Sequence, residues 1–393
     1  MSSPYKIAIV HDYLNQMGGA ERVVGLLHQM FPEAPIYTTI LDHERLWPEL
    51  AMADIRTSWM QRIPGILKHS KHFFWLYPFA VSTMKVKGYD LIISSSSAFA
   101  KGVTARGSTR HICYCYTPMR FAWDFSTYME SNEVSSLQKA IARWAMLPLR
   151  LWDKRNSGKV DRLVAISSIV QRRIESYYGL PSDLIFPPVN VARFKLSEMP
   201  PEDYYLVVSR LVSYKRIDLA VEACTRAKKK LIVIGDGPDR VRLESLAGPT
   251  VRFMGRLSDG EIERYMQHCL AFLFPGLEDF GITPLEVNAC GRPVIAFRGG
   301  GALDTIDPAV NGLFFDRQSV PDLIMAMEEA KSRNWDSASI RRHAEKFGEQ
   351  EFRNRLIQLV QSVMGLQPSI NETGLSPESY FDRRESPLRS NIR

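Results

Sequence analysis

At 393 residues the chain is too long for one ordinary hydrophobic core, so two domains are expected. Its 45% hydrophobic and 24% charged residues are those of a soluble globular protein. The net charge of +7 is spread along the chain, which excludes a nucleic-acid-binding block and suits anionic substrates or an anionic membrane surface. Five cysteines (Cys113, Cys115, Cys224, Cys269 and Cys290) form an odd set without zinc spacing, and the reading is a reduced, cytoplasmic protein.

The first expected strand, Lys6–Val10, begins almost at once, which leaves no place for a signal peptide, and no apolar run approaches a membrane span. A loop carrying Gly18-Gly19 and a helix from Ala20 follow; glycine lets backbone approach a ligand, and a helix N-terminus favours an anion. Strands are expected at Ile36–Thr39, Leu91–Ser94, Ile112–Tyr116 and Leu163–Ile166, with helices between them. Phe73–Val81, preceded by Lys68, His69, Lys71 and His72, and the basic, Trp- and Leu-rich Lys139–Arg155 suit either a membrane interface or a core helix with snorkelling cations. The segment His111–Trp123 offers Tyr116 and Arg120 to an acceptor or phosphate, whereas His111 reads as structural. Paired prolines in Ile185–Phe194 and the polar stretch to Glu202 read as an interdomain linker.

The second half alternates more clearly. Strands are expected at Tyr205–Ser209, Lys230–Ile234, Val251–Met254, Ala271–Phe274 and Pro293–Ala296. Helices are expected from about Ile217 and at Ser258–His268, Pro284–Ala289, Ala302–Ile306, Val320–Arg333 and Ile340–Met364. Such alternation implies parallel βαβ units, hence an α/β protein of two Rossmann-like doubly wound domains facing a cleft. The expected bounds are 1–195 and 196–345, with a helix at 346–366 crossing back to the first domain and a disordered tail at 367–393.

The chemistry concentrates in Phe274–Ala296. Glu278, Phe280 and Gly281 lie in a loop after a strand, and a helix is expected to begin at Thr283-Pro284 with Glu286 in its first turn. Thr283 and Glu286 have capping-box spacing with Pro284 at the first helical position, as do Ser258 and Glu261 before another helix. Two carboxylates flanking a glycine turn and a helix N-terminus suit a sugar joined to a nucleoside diphosphate. Arg210 and Lys215 follow the strand Tyr205–Ser209, where a guanidinium and an ammonium suit phosphate oxygens. Gly235-x-Gly237 makes a tight strand–loop turn and lacks the third glycine of a dinucleotide fingerprint; Gly299-Gly300-Gly301 is a similar turn. There is no Asp-x-Asp and no cluster with zinc spacing, so a metal-free site without a cofactor is expected.

The ordered blocks SRLVSYKRIDLAVEA, VIGDGP, FMGRLSD, FPGLEDFGITPLEVNACGRPVIA and GGGALDTI, with the early Gly18-Gly19-Ala-Glu21, resemble those of the retaining glycosyltransferases of family 4. The resemblance covers roughly residues 5–365 and implies the two-domain GT-B fold. It implies a nucleotide-sugar donor on the second domain, an acceptor on the first, and transfer with retention. It gives Arg210 and Lys215 the donor diphosphate, Glu278 the sugar hydroxyls, Phe280, Gly281, Ile282 and Thr283 the sugar and phosphates, and Glu286 the ribose. Gly18, Gly19 and Gly235 join the donor site in the same way. Tyr116 stands where many relatives have histidine, and Asp304 where a glutamate is usual. The YTPMRFAW block resembles bacterial mannosyltransferase-type members that build surface polysaccharides, which implies GDP-mannose and a lipid-linked or glycan acceptor. A nucleotide-sugar 2-epimerase on the same fold and a non-catalytic nucleotide-sugar-binding partner are the alternatives.

Overall fold

The computed structural model describes residues 5–124, 144–197 and 199–365. Residues 139–143 of the second basic segment, and the tail expected at 367–393, lie outside them.

The first half forms β1 (Ile7–His11), β2 (Ile36–Thr38), β3 (Ile55–Thr57), β4 (Leu91–Ser96), β5 (Arg110–Cys115), β6 (Arg162–Ala165) and β7 (Asp183–Leu184). These make one sheet in the order β3-β2-β1-β4-β5-β6-β7. The second half forms β8 (Tyr205–Val208), β9 (Leu231–Ile234), β10 (Val251–Gly255), β11 (Ala271–Phe274), β12 (Val294–Phe297) and β13 (Gly312–Phe315). Its sheet runs β10-β9-β8-β11-β12-β13. Every ladder pairing among the described strands is parallel.

Parallel sheets need helices on both faces, which is why the central strands read as unbroken apolar runs. In β1, Ile7 and Ile9 join a core with Val24, Leu27 and Ile93, whereas Ala8 and Val10 join another with Tyr77, Val81 and Leu149. In the second domain Val207 and Leu273 pack with Ala220 and Leu323 on one face, and Leu206 and Phe272 with Met266 and Val287 on the other.

Two expected helices differ. Ile340–Met364 is two helices, Ser337–Glu345 and Glu349–Val363, because Lys346-Phe347-Gly348 turns the chain between them. The second sends Phe352, Leu356 and Val360 into the first domain's core, with the Phe352 ring 5.6 Å from that of Tyr114. The helix expected from Thr283-Pro284 begins at Ile282 after Gly281, so no capping box forms there. The Ser258–Glu261 box does form.

Candidate active site

In an open parallel sheet the strand order reverses at one point, and the loops leaving the strands' C-terminal ends there diverge to leave a crevice. The reversals fall between β1 and β4 in the first sheet and between β8 and β11 in the second. Arg210 and Lys215 leave β8, and Glu278 leaves β11. Tertiary structure thus sets these two loops, more than 60 residues apart in sequence, side by side at the reversal point.

A cavity of about 140 Å³ opens there, lined by Arg210, Lys215, Glu278, Gly281, Ile282 and Thr283 among others. Lys215 forms an ion pair with Glu278, both side chains being less than one-fifth exposed. Arg210 is exposed, and among the described residues no carboxylate pairs with it. The next residue after Lys215, Arg216, holds a left-handed φ of 51° while its guanidinium reaches Asp218 at 3.3 Å. Gly281 sits at φ 89°, and a Cβ there would lie 2.8 Å from the Phe274 ring; only glycine lets the loop turn into the Ile282–Ala289 helix. The first N–H groups of that helix lack intrahelical acceptors. Two cations and a helix N-terminus in one cavity can hold a phosphate-bearing anion, beside a carboxylate able to accept from a hydroxyl.

Other expected residues take different places. The Phe280 ring is buried and stacked on Phe186 at 5.6 Å, so its side chain anchors the loop. Gly235, at φ 126°, is pressed against the loop after β8: a Cβ there would stand 1.9 Å from the Ser209 carbonyl oxygen. Glu286, expected in a capping box, faces the first domain and pairs with Arg22 at 3.4 Å. Burial pushes its carboxyl up, against the pull of Arg22 and Arg193.

The first domain supplies the opposite wall. Asp12, just past β1, accepts from the backbone N–H groups of Ser97, Ala98, Phe99 and Ala100 at 2.5–2.9 Å, which locks the loop after β4 to the loop after β1. The Gly18 N–H donates to Glu21 at 3.0 Å. Burial raises the Glu21 carboxyl, but the hydrogen bond and charge of His11, with Gln16, outweigh it and hold Glu21 below the usual carboxylate value. A Cβ on Gly19 would lie 3.3 Å from Ile282, so the glycine loop meets the second domain directly. The Tyr116 hydroxyl shares a hydrogen bond with Ser95 at 2.9 Å and donates to the Ala20 carbonyl at 3.0 Å. Burial holds that phenol well above its ordinary pKa, and its bond to the Ala20 carbonyl braces the glycine loop. His111 is buried against the Ser94 hydroxyl at 2.7 Å, and burial lowers its pKa to about 4.

The walls are tied across the cleft. Asp279, beside Glu278, accepts from Arg173 and from Arg120 at 3.4 Å. Arg120 also lies 5.9 Å from the Tyr214 ring centroid, next to Lys215. Asp304 accepts from the Ser168 N–H at 2.9 Å, and Arg22 is held over the Trp47 ring at 4.9 Å. Sequence reasoning missed Asp12, Arg22, Arg173 and Asp279: Asp12 meets the loop after β4 at least 84 residues on, Arg22 pairs with Glu286, 264 residues on, and Arg173 pairs with Asp279, 106 residues on. The one local signal was Asp279 adjoining Glu278 in a loop. Among the described residues no group of three or more His, Cys, Asp or Glu is placed to hold a metal ion, and no helix is long and apolar enough to cross a membrane.

Two family models match in succession: Glycosyltransferase Family 4 over residues 17–193 and Glycosyl transferases group 1 over residues 189–351. A GDP-mannose-dependent alpha-mannosyltransferase of Mycolicibacterium smegmatis is 34% identical over 50% of this chain and 53% of its own. A GDP-mannose-dependent monoacylated alpha-(1-6)-phosphatidylinositol monomannoside mannosyltransferase of Corynebacterium glutamicum is 29% identical over 49% of this chain and 59% of its own. The match thus spans little more than half the length of these curated relatives. Among solved structures, an Anabaena protein, HepE, in complex with UDP-glucose superposes with a TM-score of 0.65 at 16% identity, over 91% of this chain and 100% of that one. Sucrose-phosphate synthase from Thermosynechococcus elongatus gives 0.66 at 16% identity, over 92% and 99%. With two doubly wound parallel sheets, a cavity at the second sheet's reversal point and consecutive family matches across both domains, the chain belongs to glycosyltransferase family 4 and has the GT-B fold.

Proposed function

We propose that the protein is a retaining glycosyltransferase that moves a sugar, mannose from GDP-mannose, to a lipid-linked or polysaccharide acceptor in bacterial surface-polysaccharide synthesis. The observation that carries this reading is the cavity where Arg210, Lys215 and the first turn of the Ile282–Ala289 helix converge beside Glu278. Arg210 and Lys215 hold the diphosphate, Glu278 accepts from the sugar hydroxyls, and Glu286 takes the ribose. The acceptor approaches from the Gly18-Gly19 side. Its hydroxyl attacks the anomeric carbon on the face the diphosphate leaves; the sugar–phosphate bond breaks, and the departing phosphate oxygen takes the proton. No protein nucleophile is needed, and no metal is assigned, because Arg210, Lys215 and the helix N-terminus supply the charge stabilisation. The choice of GDP-mannose is supported by what the relatives are named for. The proposed place of action is cytoplasmic, against the inner face of the plasma membrane, where a lipid-linked acceptor is presented.

Incubation with labelled GDP-mannose and a bacterial lipid extract tests the proposal. Label passing to the lipid or glycan fraction supports it. Interconversion of the donor would instead identify a nucleotide-sugar 2-epimerase, and binding without turnover a non-catalytic partner. Thermal shift with GDP, UDP and ADP sorts the base, since a ligand bound only by the folded state raises its melting temperature.

A further inference from the structure

His11 ends β1 and is buried with Glu21 of the first helix, Gly19–Met30, each side chain being 2% exposed. The protons around it can be placed one by one, because a backbone carbonyl accepts and never donates. The Tyr116 hydroxyl spends its proton on the Ala20 carbonyl at 3.0 Å, and burial keeps that phenol protonated. The Ser95 hydroxyl, 2.9 Å from the Tyr116 oxygen, therefore donates to Tyr116. His11 Nδ1 is 3.0 Å from both the Ser95 hydroxyl and the Ser95 carbonyl oxygen. Neither has a proton left for it, so Nδ1 carries the N–H.

The other ring nitrogen, Nε2, has no hydrogen-bond partner and lies 3.6 Å from Glu21 Oε1. In a neutral imidazole that nitrogen would turn a lone pair on a carboxylate, in a place closed to water. Glu21 already accepts from the Gln16 amide and from the Gly18 N–H, both at 3.0 Å, which suits the charged carboxylate. One further proton on Nε2 turns the clash into an ion pair. The other groups around His11 leave Glu21 as its counter-ion. Asp12 spends its oxygens on the N–H groups of Ser97, Ala98, Phe99 and Ala100, and Thr38, in register on β2, is uncharged.

The pair reaches the glycine loop from both sides. Glu21 holds the Gly18 N–H, while the bonds running from His11 through Ser95 to Tyr116 hold the Ala20 carbonyl. Between them Gly19 stands against Ile282, the first residue of the helix at the cavity.

We infer that His11 and Glu21 form a buried imidazolium–carboxylate pair that positions the loop at residues 18–20, and that losing its extra proton as pH rises frees the loop. The link to catalysis rests on the function proposed above; the proton and the loop are tested without it.

Nuclear magnetic resonance of the full chain with nitrogen-labelled histidine rings, and with His11→Gln to assign the signal, reads the proton directly. Near neutral pH both His11 nitrogens should be protonated. In Glu21→Gln only Nδ1 should be, since the new amide can donate to a neutral Nε2. Exchange of the Gly18 amide should be about tenfold faster in Glu21→Gln than in the unaltered chain at the same pH. With GDP-mannose, kcat/KM should fall on the alkaline side in the unaltered chain, and Glu21→Gln should be several-fold slower with that limb gone. One proton on the His11 ring near neutral pH, two surviving in Glu21→Gln, or an unchanged Gly18 exchange overturns the inference. A pH profile that Glu21→Gln leaves unchanged overturns the positioning role. Absence of sugar transfer would count against the proposed function alone, because the labelled ring and the Gly18 amide report without turnover.

Discussion

Replacing Glu278 by glutamine should separate diphosphate binding from sugar transfer. Glu278 and Lys215 neutralise each other, with side-chain exposures of 19% and 17%, so a diphosphate would compete with Glu278 for the ammonium. Glutamine keeps the size and one acceptor oxygen but removes that competing charge. GDP should therefore bind Glu278→Gln as well as the unaltered protein or better. Lys215→Ala removes the cation itself, and a hydrogen bond to a charged group contributes about 1.5–3 kcal/mol, or about ten- to a hundredfold in Kd. Arg210→Ala, which breaks no protein ion pair among the described residues, should lose a similar amount. Turnover should follow the opposite order for Glu278→Gln: charge develops as the sugar–phosphate bond breaks, so its loss falls on kcat. Calorimetric titration with GDP, set beside steady-state kinetics with varied donor, reads both quantities. If Glu278→Gln weakens GDP as much as Lys215→Ala does while kcat survives, the carboxylate belongs to the diphosphate site and the division of roles is wrong.

Asp279→Asn should lower kcat/KM about tenfold while GDP affinity stays near normal, because it releases Arg173 and Arg120 on the far wall and leaves Arg210 and Lys215 alone; Asp279→Glu should restore part of it. Wild-type turnover in Asp279→Asn would show that the cross-cleft pairs do not position the domains. Glu286→Gln should raise the donor KM without losing a helix cap, since the cap lies at Gly281. Burial raises the Glu286 carboxyl, so its contribution to stability is present below the ordinary value of 4.5 and is lost as pH rises through the raised one; the variant should flatten that part of the curve, and denaturant melts at several pH values measure it. His111 acts at the acid side: its folded value of about 4 lies below the ordinary 6.5, so protons bind the unfolded chain first and stability falls between pH 6.5 and 4 by up to about 3 kcal/mol. His111→Asn should remove that slope, and an unchanged acid melt would refute it. EDTA should leave activity largely intact; complete loss restored by magnesium or manganese would reveal a metal site.

The sequence alone determined the fold class and the loops that line the cavity. Buried parallel strands such as Ile7–His11, Leu231–Ile234 and Ala271–Phe274 must be apolar on both faces, so they read as short continuous runs wherever they occur. Arg210, Lys215 and Glu278 were legible because each follows such a run, where the chain turns toward the crevice. The edge strand Ile55–Thr57, half-exposed and three residues long, and the two-residue Asp183–Leu184 carried no such pattern. The cap shows where local reasoning ends. Thr283-x-x-Glu286 has the right spacing, but spacing cannot report that Arg22, 264 residues away, offers Glu286 a charge on the first domain's side, while Gly281 begins the helix two residues sooner. Gly235 likewise reads as a ligand turn until the Ser209 backbone is found pressed against it. Local pattern fixes which face of an element is buried; which distant side chain answers it depends on strand order and domain closure, and only the tertiary structure decides those.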